Sequence, residues 1–594
     1  MTVHPPKPAL ALSIGAIGHR PNRLREAIPG QVAEDIATVL DALKAETSAA
    51  RLRYQNIFAA EEPQLTIISA LAEGADRMVA DAGLSRGFFL DAPLPFPIDV
   101  YVHDFESEPA RAHYRDLLSN ARRVLELPGA RAAKTAAYER VGVTILGISD
   151  IIVAVWDGGP PAGRGGTTSM VTAAASIGLP IIHIDATGAA RPRILWSGFS
   201  KLPAHAETLD SLPALSLEAG MRRLVDEFVR PPVEAKERRH LAGYLGERAR
   251  RLNVRIEFPL LMALAGIRKL CRADIRPKDP VTTAAEYCAP AAAIFASVKT
   301  KTPIAPSLAY GWASAIGGYF AQVFRSAYVA NFVLGALAVA AAASSLLFEA
   351  KRGFAIAEIL LIGLVILNTW LGRCAGWHRR WIEAREIAER LRVAICIWAL
   401  ADRPTAFHGE EPTWTGWYAR AFVRMQGLRP GALDAAGLDE ARKLLVDLLT
   451  DQRNYHITTA ARMGKLEHRL ELFGLTLFAT TAAVALDHAT GEHVLHAILP
   501  HGVDAGILGT ALGAALPALA VASYGVRVIG DIEGIARRSK RTYEALEELH
   551  RAVEAEPSEL LLLRARTRAT VDVMLGDVAS WRLSVESRPL ALPG

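Results

Sequence analysis

Four apolar stretches in the second half of the chain, at 327–348, 354–371, 472–486 and 505–526, constrain its architecture more than any other feature. Three carry no charge, and the second holds only Glu358. Hydrocarbon offers no partner to an open backbone, so such stretches are tolerated there as helices, and about twenty residues suffice to cross. The stretch at 472–486 is the shortest and also suits a buried soluble helix. Across the 594 residues 51% are hydrophobic and 22% charged, which excludes a chain made mostly of membrane segments. A chain of this length has room for two or three domains.

The first 190 residues read differently. Short apolar runs at 10–17, 65–69, 98–102, 151–156 and 180–184 alternate with helical patterns at 22–44, 73–84, 109–124, 133–146 and 167–177. Runs that are apolar throughout predict a parallel sheet buried on both faces. The expected fold class is an α/β N-terminal Rossmann-like parallel sheet, followed by an all-α region with four transmembrane helices and long cytoplasmic helices. Right-handed crossovers gather the loops after the strands along one edge, where ligands bind.

Three of those loops carry glycine. Gly15, Gly18, His19 and Arg20 belong to the first, and Glu73, Gly74 and Asp76 to the second. Asp157, Gly158, Gly165, Gly166 and Thr167 form the third and lead into a helix. Glycine lets backbone N–H groups approach an anion, and a helix N-terminus adds the positive end of its dipole. One Gly-x-Gly-Gly-Thr alone is also an ordinary tight turn. Three glycine loops on one edge favour a pocket for a phosphorylated or cyclic nucleotide, with His19 and Arg20 beside the phosphate. Asp157 either bonds a ribose hydroxyl or caps its turn. No catalytic set accompanies these loops. Cys271, Cys288, Cys374 and Cys396 have no zinc or redox spacing, so no metal or resident cofactor is expected. The net charge of +5 is small, and arginines cluster beside the apolar stretches, which argues for a membrane surface and against nucleic acid.

In combination, Ile17-Gly-His-Arg-Pro21, Leu71-Ala-Glu-Gly-Ala-Asp-Arg77, Asp150-Ile-Ile-Val-Ala-Val-Trp-Asp-Gly158 and Gly165-Gly-Thr167 resemble the SLOG superfamily. That group includes the DNA-uptake protein DprA and the lonely-guy phosphoribohydrolases. The resemblance implies a Rossmann-like nucleotide pocket within the first 190 residues. The hydrolase branch carries a catalytic Glu after its glycine motif. Matched onto Gly166-Thr167, that position is Met170, which cannot transfer a proton. Binding without hydrolysis is implied, with Glu73 and Asp76 as the carboxylates left to a hydrolase.

The expected domain order follows the composition. Residues 1–190 bind nucleotide, 191–255 form a linker and charged helix, and 256–325 a helical pre-membrane region. Residues 326–372 form the first transmembrane hairpin, 373–470 cytoplasmic helices, 471–527 the second hairpin and 528–594 C-terminal cytoplasmic helices. Arg379, Arg380 and Arg385 follow the second stretch, Arg462, Lys465 and Arg469 precede the third, and Arg537, Arg538 and Lys540 follow the fourth. The loop at 487–504 has neither Lys nor Arg. The positive-inside rule then puts both termini in the cytoplasm of a bacterial inner membrane, against one contrary turn with Lys351 and Arg352. His488, His493, His496 and His501 crowd the outward loop, where an exposed polar loop explains them more simply than zinc does.

Two hairpins, each followed by a charged helix, are similar to SLATT membrane-effector domains, which implies pore formation or membrane disruption. Gly509 and Gly513 have the spacing for close helix packing, consistent with a homo-oligomer. Together these resemblances imply a non-enzymatic effector in the lipid bilayer, gated by a nucleotide-derived second messenger in bacterial antiviral or conflict signalling. A membrane-tethered nucleotide hydrolase is the first alternative and a metabolite-regulated channel or transporter the second.

Overall fold

The structure is a computed structural model that describes residues 3–24, 30–160, 165–200, 209–294, 304–403, 413–491, 494, 504–587, 590 and 592. Its nine described strands form one sheet in the order β8-β7-β6-β5-β1-β2-β3-β4-β9. The parallel centre consists of β1 (Ala11–Gly18), β2 (Gln64–Ile68), β3 (Phe89–Leu94), β4 (Arg123–Glu126), β5 (Ile151–Trp156) and β6 (Ile181–Asp185). Ile14 of β1 is level with Ile67 on one side and Ile151 on the other, all fully buried. Helices make this burial possible: α1 (Gln31–Arg53), α2 (Ala75–Ser85), α3 (Ile98–Tyr101), α4 (Glu108–Asn120), α5 (Lys134–Ile148) and α6 (Thr167–Ser176).

The sheet is mixed rather than wholly parallel. Of two short strands, β7 (Arg193–Leu195) adds antiparallel to β6 and β8 (Ala214–Ser216) antiparallel to β7, and α7 (Leu217–Val229) then packs on α1. The strand expected at 98–102 is instead the one-turn helix α3, and the third strand is β3. Asp91 and Pro93 hide β3 from a reading that looks for an unbroken apolar run. The 109–124 helix is likewise divided, since α4 ends at Asn120 and β4 follows.

The remaining helices are α8 (Ala235–Leu245), α9 (Glu257–Leu264), α10 (Arg272–Ile275), α11 (Pro280–Ile294), α12 (Ile304–Ser344), α13 (Lys351–Cys374) and α14 (Trp377–Arg392). After them come α15 (Ala394–Ala399), α16 (Trp414–Arg424), α17 (Ala435–Thr490), α18 (Ala505–Ile529), α19 (Ile532–Ala555) and α20 (Leu560–Glu586). Four of the described helices are long and apolar enough to cross a membrane, and they carry the four stretches read from the sequence, although α12 ends at Ser344, short of the expected 348. Ile359 and Leu360 of α13 are 68% and 62% exposed, and Leu475 of α17 is 63% exposed. A helix that leaves so much apolar surface uncovered suits lipid better than water. α17 runs unbroken for 56 residues, roughly 84 Å at 1.5 Å per residue. The short apolar stretch at 472–486 is therefore one part of a longer rod.

The sheet and the helical half are joined by buried polar contacts. Asp150, 2% exposed, accepts from Arg403 at 2.8 Å and from Arg424 at 2.9 Å. Asp91 accepts from Arg122, Arg123 and the Leu428 N–H. The chain then adds β9 (Gly431–Ala432) to the far sheet edge, beside β4.

Candidate functional site

The strand order reverses at β1. From there the chain moves outward through β2, β3 and β4, and β5 returns to the other side of β1. At such a switch point the loops after adjacent strands diverge and leave a crevice at their carboxyl ends. A cleft of about 700 Å³ opens there. Three helices of at least ten residues begin around it: α2 at Ala75, α5 at Lys134 and α6 at Thr167.

Of the residues singled out in the sequence, Gly18, His19, Arg20 and Asp76 line this cleft, as do Gly165, Gly166 and Thr167 on its other wall. Thr167 Oγ1 donates to the Gly18 carbonyl at 3.0 Å and ties the two walls together. Gly163 of the glycine motif lies outside the described residues.

The other singled-out residues serve the walls. Gly15 is inside β1 rather than after it, and a Cβ there would come within 2.5 Å of Ser149 Oγ and 2.9 Å of Ile145 on α5. Gly74 has φ +110°, and its Cβ would meet the His19 carbonyl oxygen at 2.5 Å. It lets the second loop dock on the first, where Ala75 N–H donates to His19 O at 3.1 Å. Gly158 only turns the chain, at φ +76°. Glu73 is half-buried beside the cleft and does not line it.

Asp157 also stands outside the lining. Its Oδ1 is 2.9 Å from His19 Nε2 and its Oδ2 2.6 Å from an Arg23 nitrogen, while Gly159 N–H donates to Oδ1 at 2.9 Å. Nε2 is also 3.2 Å from the Asp157 backbone N, and a single ring nitrogen cannot serve both. The carboxylate contact is shorter and charge-assisted, so Nε2–H donates to it. Burial alone would raise the Asp157 pKa, but His19, the Gly159 N–H and Arg23 outweigh it and hold the carboxyl below its ordinary value. Between the two roles left open by the sequence, these contacts make Asp157 the turn's cap and the anchor of His19.

Asp76 is different in kind. It is buried at the start of α2, and desolvation pushes its pKa up to about 7 against the pull of Arg20 and the N–H groups of Ala72 and Gly18. The Arg20 guanidinium lies over the Tyr138 ring, 5.1 Å from its centroid. Desolvation lowers the Arg20 pKa, yet Tyr138, Tyr101 and Asp76 raise it further, and the balance is upward. Leu71, on the same loop as Asp76, sits fully buried at φ +57°, fixed by Ser69 Oγ and Arg77. Such a strained backbone persists only where its surroundings hold it.

One wall escaped the sequence reading. Tyr101, Asp104, Arg131, Lys134 and Tyr138 all line the cleft. Tyr138 donates to Asp104, which Arg131 also pairs with at 3.1 Å. The buried Tyr101 hydroxyl has no hydrogen-bond partner among the described residues. Lys134, at the first position of α5, is exposed and has no ion pair among the described residues. A signal was present in Arg131 and Lys134. A cation at a helix start opposes the dipole, and while Arg131 is met by Asp104, Lys134 is left for an anion to justify.

Met170 also lines the cleft. It packs on α5 where a Cβ at Gly142 would lie 2.3 Å from its sulfur, so Gly142 makes room for the thioether. No family model and no curated protein matches the chain.

Proposed function

We propose that the chain is a membrane effector whose N-terminal cleft binds a nucleotide-derived anion and transmits that binding to the apolar helices. One observation carries this reading: Arg20 and Lys134 face a cleft ringed by the positive ends of α2, α5 and α6. Cations added to three converging dipoles are mutually unfavourable until an anion joins them. The cleft's aromatic wall, Tyr101 and Tyr138, offers a base or ribose an apolar surface. The SLOG and SLATT resemblances agree with such a protein, and antiviral or conflict signalling in a bacterial inner membrane belongs to the same proposal.

For binding to act on the membrane helices, the ligand must favour one arrangement by its differential affinity. The buried pairs of Asp150 with Arg403 and Arg424 supply a stiff route from the sheet to the helical half. The test uses the full chain reconstituted in liposomes, titrated with a panel of mono-, di- and cyclic nucleotides. Expected is a rise in Tm with one class of nucleotide and dye release with the same class. Arg20→Gln should remove both. Release independent of nucleotide would overturn gating.

Asp76 favours a second reading. A carboxyl with pKa near 7 in a cleft is suited to proton transfer, and here the nucleotide would be hydrolysed. Turnover of a nucleoside monophosphate that vanishes in Asp76→Asn would establish this reading over the first.

A further inference from the structure

A second cavity, of about 200 Å³, shares no lining residue with the cleft and lies among the helices that lead into the apolar stretches. That is well above the ~15 Å³ that admits a water molecule. Five arginines line it, Arg268, Arg325, Arg385, Arg462 and Arg538, against one lining carboxylate, Asp577. Two of the five are already neutralised. Arg268 holds Asp274 through two nitrogens at 2.7 and 2.6 Å, and Arg538 holds Asp531 at 2.7 Å.

The other three are not. Arg325 has no ion pair among the described residues and only stacks against aromatic rings, 5.4 Å from Phe258 and 5.2 Å from Trp381. Arg462 has no ion pair among the described residues either. Arg385 is 4.0 Å from Glu389, which Arg392 already engages at 2.9 and 3.2 Å. Two buried nitrogens at the same place, Arg385 Nε and His456 Nδ1, have no hydrogen-bond partner among the described residues, and His456 is 6% exposed. Buried donors without partners are destabilising. Asp577 cannot satisfy this excess alone, since one carboxylate faces three cations and its Oδ1 already accepts from Thr542.

We propose that this cavity binds a phosphate-bearing anion through Arg325, Arg385 and Arg462. Guanidinium forks match phosphate oxygens in pairs, and His456 adds a neutral-capable donor. The three arginines come from α12, α14 and α17, so one bound phosphate joins both hairpins at their base. Arg325 lies two residues before the 327–348 stretch and Arg462 ten before the 472–486 stretch, about 15 Å along a helix. The anion is therefore either a lipid headgroup or a soluble phosphate, and both reach this depth.

The experiment uses the full chain in nanodiscs, with Arg20→Gln and Lys134→Gln in every sample to silence the N-terminal cleft. Pyrophosphate is titrated into phosphatidylcholine discs, and in parallel the discs are changed to phosphatidylcholine with phosphatidylglycerol. Expected is a rise in Tm with one of these probes, weakened at least about tenfold in concentration response by Arg325→Gln and by Arg462→Gln. Arg325→Lys should retain part of it. A response to pyrophosphate alone identifies a soluble phosphate, and one to phosphatidylglycerol alone a headgroup. Arg462 is exposed on α17, so its replacement leaves the fold intact. The proposal is overturned if neither probe raises Tm, or if both glutamine variants respond as the parent does.

Discussion

Asp76 joins binding to stability through a single proton. Its folded pKa is raised to about 7 from an ordinary 3.8, so between those values the folded state holds a proton that the unfolded state has lost. Stability then falls as pH rises from about 4 to 7 and is level above that. Asp76→Asn removes the charge that burial disfavours. It is expected to flatten that slope and to stabilise the protein at neutral pH by roughly 1–4 kcal/mol, checked by Tm across the pH range. The glycines make a second comparison. Gly74→Ala meets both a positive φ and the His19 carbonyl, whereas Gly158→Ala meets the positive φ alone, with nothing within 4 Å. Expected losses are about 2–4 kcal/mol at Gly74 and about 1 kcal/mol at Gly158, measured by denaturant titration. The sequence pointed to Gly18, His19, Arg20, Asp76 and the Gly165–Thr167 wall of the cleft because glycine, His and Arg after strands carry a local meaning. It left Asp157 open, because which group a carboxylate faces depends on Arg23 and His19 brought together by the fold. Lys134 and Tyr138 escaped for the same kind of reason. The start of α5, which carries both, becomes part of the cleft only once β4 is recognised ahead of it.

At the scale of elements, β5 was legible and β3 was not, and the difference is physical. Ile151–Trp156 is apolar throughout and buried throughout, so its pattern needs no partner to be understood. β3 carries Asp91, fully buried, whose charge is met by Arg122, Arg123 and an N–H from residue 428. The last of these comes from 337 residues away, beyond the reach of any local window. The same distance separates the sheet from being a free-standing unit. Within residues 1–190, Asp150 would lose Arg403 and Arg424 together, and Asp91 would lose Leu428. Breaking a buried ion pair from one side is destabilising by about 3–5 kcal/mol, so that fragment is expected to be unstable or aggregated where the full chain is not. The pair itself is testable inside the full chain. Arg424→Leu should lower stability by less than that, because Arg403 still pairs with Asp150. The double variant with Asp150→Asn should lose less than the sum of the two single losses, since both remove the same contact. Simple additivity of the two substitutions would mean that the contact does not couple the halves.

For the whole molecule, the apolar helices were the easiest feature to read, because hydropathy over twenty residues averages out local detail. What the sequence could not give was their continuity. α17 carries its apolar segment on a rod that starts at Ala435 in the helical half, and α18 returns beside it, with Ser523 Oγ donating to the Leu470 carbonyl at 2.9 Å. At the base of this hairpin Arg527 pairs with Glu467, an ionic contact suited to the water side of a membrane boundary. α17 runs on to Thr490, so Asp487 and His488 of the 487–504 segment expected to be a loop are helical. That segment, with no Lys or Arg, joins the other ends of the two helices; His493, His496 and His501 lie outside the described residues. Arginine at one end and none at the other is the basis, by the positive-inside rule, for the proposed orientation. In a variant lacking the four native cysteines, Thr490→Cys is expected to react with a membrane-impermeant maleimide in intact cells. Glu559→Cys, immediately ahead of α20, should react only after permeabilisation. Both residues are exposed at or beside helix ends, so access to the reagent depends on the membrane and not on burial. Labelling in intact cells of the cysteine ahead of α20, but not of the one at 490, would reverse the arrangement of the sheet and the bilayer. Labelling of neither until lysis would place the 487–504 loop inside and remove the membrane crossing on which the effector reading stands.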